Sequence, residues 1–202
     1  MAEITAAAVK SLRELTDLPM MDCKKALVEA EGDQDKAVEI LRSQVGKVML
    51  KRADNTTSEG RIVIAYNDDH TKAAMVEVQC ESEPVSRSED FVGFTNKCAN
   101  QLLNGPGATS PDELLEQTAE GDSNSLKEIY EEIVNKIREK IVLSRIAVVE
   151  AKGFVNGYIH HDGKTGSLFY ASVASLTEKF QAHARGDFTV DLQYTTHIDQ
   201  SA

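Results

Sequence analysis

The hydrophobic residues of this chain change their period partway along it, and that change restricts the folds open to it. Up to Lys51 they recur at helical spacing, and from Arg61 they alternate as strands require. The switch excludes all-helical and all-strand architectures. Ala8, Leu12 and Leu15 share one helical face, with Thr5 placed as the cap. Thr16 to Pro19 interrupts the pattern. A second helix is expected from Met20 to Glu31, stopped by Gly32. Asp33 caps a third, which carries Ala37, Leu41, Val45 and Val48.

Residues 1–51 therefore read as a three-helix bundle, and 52–60 as a polar linker rich in Asn, Thr and Ser. Arg61–Tyr66 and Ala73–Gln79 read as strands joined by the turn Asn67–His70. A helix follows from Glu89, with Phe91, Phe94, Cys98 and Leu102 on one face. Ser110 caps a short helix with Pro111 in its first turn, and a longer helix carries Leu126, Ile129, Tyr130, Ile133 and Ile137. Strand pattern returns in Ile146–Ala151, Phe154–His160 and Ser167–Ala171. The expected fold is α+β: the bundle, then a core of two related halves with antiparallel strands, 61–145 and a shortened 146–202. Leu176–Ala184 is expected to be helical.

Charge and motifs narrow the function. The formal charge of -11 repels phosphate backbones and argues against nucleic acid as a partner. Lys24, Lys25, Lys47, Lys51 and Arg52 are the best source of a local basic patch, and read as a solvated surface. Cys23, Cys80 and Cys98 form no paired motif, which fits buried thiols in a reducing compartment. The N-terminus is neither basic nor continuously apolar, and no apolar run approaches about 18 residues. A cytoplasmic protein with no membrane span is the expectation.

Gly163-Lys164-Thr165 imitates the end of a phosphate-binding loop, but position 158 is Tyr where that loop needs Gly. His160 and His161 are consecutive strand residues, which point to opposite faces and rarely share an ion. No nucleophile sits in a catalytic motif. Catalytic residues, metal and cofactors are all expected to be absent, and the chain is read as a non-enzyme.

The second helix points to binding instead. At about 100° per residue, Cys23, Ala26, Leu27 and Ala30 fall in one arc, which must be the buried one. Met21, Lys24 and Val28 fall opposite, exposing an apolar pair beside a lysine. That combination suits a docking surface.

The segment Leu18-Pro-Met-Met-Asp-Cys-Lys-Lys-Ala-Leu27 closely resembles the signature of the elongation factor Ts family. The opening Ala2-Glu-Ile-Thr5, Gly32-Asp33, Val76–Cys80, Lys136–Arg145, Gly157-Tyr158, His160 and Gly166 extend the resemblance to about Ala171. It implies a ubiquitin-associated-like N-terminal module and a partner, the GTPase elongation factor Tu. It also implies promotion of GDP release in translation elongation, with no direct nucleotide binding. The docking helix then maps onto Met20, Met21, Lys24 and Lys25. The family's intruding loop commonly reads Thr-Asp-Phe-Val; the matching residues here are Ser82, Glu83, Pro84 and Val85. Glu89-Asp90-Phe91-Val92 looks like a displaced copy, but Phe91 fits the buried face of the following helix. Ile137, Arg138 and His160 fall on further family contact positions.

Two departures stand out. Pro84 replaces the aromatic wedge. Thr195–Ile198 resembles only a remnant of a family helix, so the second half reads as short or divergent. The alternative reading is an interaction module that docks through its bundle without driving exchange.

Overall fold

A computed structural model of the chain describes residues 4–16 and 18–172, with the backbone alone for Ser172 and Gln193–Asp199. Its α+β architecture follows from where each apolar face finds cover. Four helices come first: α1 (Ala6–Thr16), α2 (Met20–Glu29), α3 (Gln34–Arg42) and α4 (Val45–Lys51). The backbone N–H of Ala8 donates to Thr5 Oγ1 at 3.2 Å, and that of Lys36 to Asp33 Oδ1 at 3.1 Å. At Gly32, φ is 91° and the N–H returns to Leu27 O at 2.9 Å, closing α2 with a left-handed glycine turn.

Two expectations for this region change. The helix capped by Asp33 stops at Arg42, and α4 is a separate helix whose Val45, Val48 and Met49 pack on the core rather than on α1–α3. Leu15 is 66% exposed, because Val9 and Leu12 form the inward stripe of α1.

Strands β1 (Glu59–Tyr66) and β2 (Lys72–Cys80) form an antiparallel hairpin, joined by the turn at Asn67–Thr71. Helices α5 (Glu83–Ser86), α6 (Glu89–Asn104), α7 (Pro111–Leu115) and α8 (Leu126–Ile137) follow. Ser88, Ser110 and Ser125 cap α6, α7 and α8, and Ser125 with Glu128 completes a capping box. The next strand, β3 (Val142–Glu150), pairs with β2 and completes the first sheet in the order β1-β2-β3. Sequence pattern alone groups it with the later strands. Its alternation looks the same whichever sheet it joins, and only pairing decides.

β4 (Gly153–Ile159), β5 (Thr165–Ser172) and β6 (Gln193–Asp199) form a second antiparallel sheet. Thr195–Ile198 is therefore strand rather than helix; Thr and Ile suit that state, and its backbone pairs with β5. The expected helix Leu176–Ala184 lies outside the described residues.

β2 is buried on both faces. Ala74, Val76, Val78 and Cys80 meet Phe91, Phe94, Cys98 and Leu102 of α6, while Ala73 and Met75 meet Val155 and Leu168 of the second sheet. The fully buried Glu77 is held by Gln79 Nε2 at 3.0 Å and by the guanidinium of Arg145. The second sheet comes close enough only because two of its residues lack side chains. A Cβ at Gly157 would lie 2.8 Å from Ser167 O and 2.6 Å from Ile64 Cδ1, and one at Gly166 would lie 2.9 Å from Ile62 Cγ2.

The α1–α3 bundle has its own apolar cluster, separate from that of the core. Polar bonds join the two. Asn135 Nδ2 donates to Leu41 O at 2.7 Å in a buried setting, and Arg42 reaches Glu128 and Glu132 at 3.1 and 2.8 Å. Asp22 meets Arg138 at 2.5 Å. The Arg42 and Arg138 pairs are partly exposed and contribute about 0–1 kcal/mol each, so they position the bundle more than they stabilise it.

The α8–β3 turn, residues 138–141, is unusually well connected. Arg138 closes α8 in the left-handed region, with φ 61° and ψ 28°, a conformation that costs a bulky residue about 1 kcal/mol or more. Glu139 accepts from Ser82 N and Oγ at 3.1 and 2.6 Å. Lys140 N donates to Glu81 at 2.6 Å, and Lys140 Nζ to Ala53 O and Asn55 O in the linker. Glu81 also receives Arg52 and Asn55 at 2.8 and 2.7 Å.

Gly157→Ala is expected to cost about 1–3 kcal/mol in urea unfolding, because the new methyl meets backbone that cannot yield. Gly93→Ala, on α6 with nothing within 4 Å of the added carbon, is the control and is expected to stabilise by about 0.5–1 kcal/mol. Burial pushes the Glu81 carboxyl up, but the Lys140 N–H, Asn55 and Arg52 together hold it below its ordinary 4.5. Its ionised form therefore stabilises the fold above pH 4.5, and that contribution fades as pH falls through the lower folded value. Glu81→Gln should flatten the acid side of the stability profile; an unchanged slope would contradict this.

Candidate functional site

The first candidate segment lies on α2. Cys23, Ala26 and Leu27 are its buried residues, at 0, 1 and 1% exposure. The helical period then turns the opposite residues outward: Met20 is 45%, Met21 60% and Val28 55% exposed, with Lys24 and Lys25 also exposed. The lysines carry the charge on a face whose apolar part is two flexible methionines and a valine. Such a face adapts to an apolar partner surface with acidic surroundings. Asp22, on the first turn, points back to Arg138.

The second segment is α5 and its cap. Ser82 is extended, with φ -126° and ψ 147°, and Pro84 sits in the first turn where its missing N–H is harmless. Glu83 and Pro84 are exposed, and Val85 is half-buried against the core. Glu83 holds Arg87 at 2.5 Å across one helical turn. Phe91 is fully buried in α6, so no aromatic from the Glu89–Val92 segment is available at the surface.

The third segment is the β4–β5 turn. Gly163 has φ 74°, and its carbonyl accepts Ile62 N at 2.8 Å, which fastens the turn to β1. Lys164 Nζ meets Glu59 at 2.7 Å. Gly163-Lys164-Thr165 thus sits in a hairpin turn. His160 Nδ1 lies 3.0 Å from Asp162 Oδ2, and its ring packs on His161 at 4.1 Å. The Lys164 N–H, 2.8 Å away, and then His160 hold the Asp162 carboxyl below the usual carboxylate range.

The second and third segments face one another. Glu83, Ser86 and Arg87 form one wall of a polar groove of about 790 Å³, and His160 to Lys164 form the other, with Arg61 and Val63 of β1 between them. Sequence spacing places Glu83 and His160 far apart; the packing of the second sheet on the first brings them to one groove. Two of the groove's charged residues, Arg61 and Arg87, carried no recognisable signal in the sequence.

The remaining site residues are less open. Ile137 is half-buried and packs on the core. Arg138 is partly exposed, and its guanidinium is directed at Asp22 of α2. Burial pushes the Cys80 thiol up to about 12, with Glu139 adding to the effect, and pushes Cys98 up as well. Neither thiol is a nucleophile at neutral pH. Among the described residues, no group of three or more His, Cys, Asp or Glu is placed to hold a metal ion. No helix among them is long and apolar enough to cross a membrane.

Comparison with known proteins gives the family of the chain. Residues 81–184, which include α5, the α8–β3 turn and the β4–β5 turn, match the family model described as elongation factor TS. The elongation factor Ts of Nautilia profundicola is 43% identical over 177 residues, covering 87% of this chain and 57% of that protein. That of Clostridioides difficile strain 630 is 43% identical over 170 residues, covering 83% of this chain and 55% of its own length. That of Arthrospira platensis is 40% identical over 168 residues, covering 83% and 67%. The chain thus spans between half and two thirds of the length of these relatives. With more than half of its residues matching the family model, the chain belongs to the elongation factor Ts family.

Proposed function

We propose that this chain is a guanine-nucleotide exchange factor that binds the GTPase elongation factor Tu and promotes GDP release during translation elongation. The observation that carries the reading is the convergence of Glu83 and His160, far apart in sequence, on one exposed groove. The exposed Met20, Met21, Lys24 and Lys25 of α2 supply a separate docking face. In this reading α2, the second helix of a ubiquitin-associated-like module spanning residues 1–51, anchors the partner. The Glu83-Pro84-Val85 turn and His160 press on the region that holds the nucleotide.

The physics is linkage. A factor that binds the empty GTPase more tightly than the GDP form weakens GDP binding by the same ratio. No acid, base, nucleophile, metal or cofactor of its own is required. Differential contact is sufficient, and the chain is not an enzyme in the bond-making sense. A cytoplasmic setting follows from the partner.

One observation favours a second reading. Pro84 offers the partner a small rigid ring where the family commonly has an aromatic side chain. A smaller wedge suits a module that docks without displacing nucleotide. The two readings separate in a fluorescent-GDP release assay with purified elongation factor Tu. Exchange predicts that release accelerates with added chain until it saturates; docking alone predicts binding with unchanged release.

Met21→Asp buries a charge in the docking face, and is expected to raise the half-saturating concentration at least about tenfold. The helical circular dichroism should be retained, because Met21 is 60% exposed. Loss of helix would contradict the assigned face, and an unchanged half-saturating concentration would remove α2 from the interface.

A further inference from the structure

Consecutive residues of the α8–β3 turn hold the two proposed contact segments. Arg138 reaches Asp22 on the first turn of α2 at 2.5 Å. Glu139 takes both the N–H and the hydroxyl of Ser82, the cap of α5. Lys140 fastens the same turn to Glu81 and to the linker carbonyls of Ala53 and Asn55. We propose that Arg138 and Glu139 are positioning residues, which set the spacing between the docking helix α2 and the α5 wedge.

Two observations separate this from ordinary surface pairing. Arg138 occupies the left-handed region at φ 61°, where a glycine would sit without strain. Its Nε is buried and has no hydrogen-bond partner among the described residues. A long charged side chain held at such a backbone position, with one donor unmet, serves poorly as a stabilising element. Strain of this sort persists where the surroundings require it. Among the described residues, its guanidinium pairs with Asp22. Because the bundle and the core keep separate apolar clusters, hydrophobic packing leaves the orientation of α2 to polar bonds such as this one.

The purpose assigned to the brace rests on the exchange reading, but its physical content is a distance. A partner held at two points gains from the second contact only if the spacing matches. Loosening the turn should therefore leave docking through α2 largely intact while the wedge is presented less often. That is the reverse of the pattern expected for Met21→Asp.

The test uses the full chain with spin labels on cysteines introduced at the exposed Glu29 and Arg87, read by pulsed electron resonance; the native cysteines are buried. The parent should give one narrow distance. Arg138→Gly and Glu139→Ala should each broaden or shift it. Arg138→Gly should keep the parent's melting temperature, since loss of the pair is offset by relief of the strain. In the unlabelled variants, the saturating GDP release rate should fall roughly five- to tenfold, with a smaller change in half-saturating concentration. Distance distributions identical to the parent's in both variants overturn the proposal. A parent chain that leaves GDP release unchanged, with distributions that broaden as stated, overturns the exchange reading and leaves the brace standing.

Discussion

The close approach of the two sheets is the constraint on which the rest of the molecule depends. β2 is covered on one face by α6 and on the other by the second sheet, so its side chains have no free side. The second sheet reaches it because Gly157 and Gly166 put hydrogen where any other residue would put carbon against Ile64, Ile62 or the neighbouring strand. That contact carries the β4–β5 turn to the edge of β1, where Gly163 O meets Ile62 N. The groove shared by Glu83 and His160 exists only as a result.

A second level of organisation is polar. The bundle and the core are joined through Asn135, Arg42 and the pair of Asp22 with Arg138. Such bonds add little stability at partly exposed sites but are strict about geometry. They suit the proposed task of presenting separated surfaces at a set spacing. The sequence signature of α2 fits this division: Cys23, Ala26 and Leu27 close the bundle, Asp22 addresses the core, and Met20, Met21, Lys24 and Lys25 remain outside.

Much of this was legible in the residues. The caps at Thr5, Asp33, Ser110 and the stop at Gly32 are local chemistry, and local chemistry survives folding. The exposed face of α2 followed from periodicity, as did the burial of Phe91. What failed depended on distant neighbours. Leu15 has the spacing of a core residue but finds no cover. The third helix divides because α4 packs on the core with Val45 and Val48. β3 joins the first sheet, and Thr195–Ile198 lies in a strand, because pairing partners decide both. The bonds made by Glu81 and Glu139 carried no sequence signal, and Arg138 was marked only as a contact position, not for its pair with Asp22. An acidic residue that accepts a backbone N–H a long way along the chain looks like any other surface carboxylate.

Under the function proposed here, the chain would act by preference rather than by reaction, fitting the empty form of a GTPase better than the filled form. The most direct measurement is its equilibrium affinity for nucleotide-free elongation factor Tu and for the GDP complex, by calorimetric titration. The account predicts markedly tighter binding to the nucleotide-free protein, matched by an equal weakening of GDP in the reverse titration. Equal affinities for the two forms would contradict it.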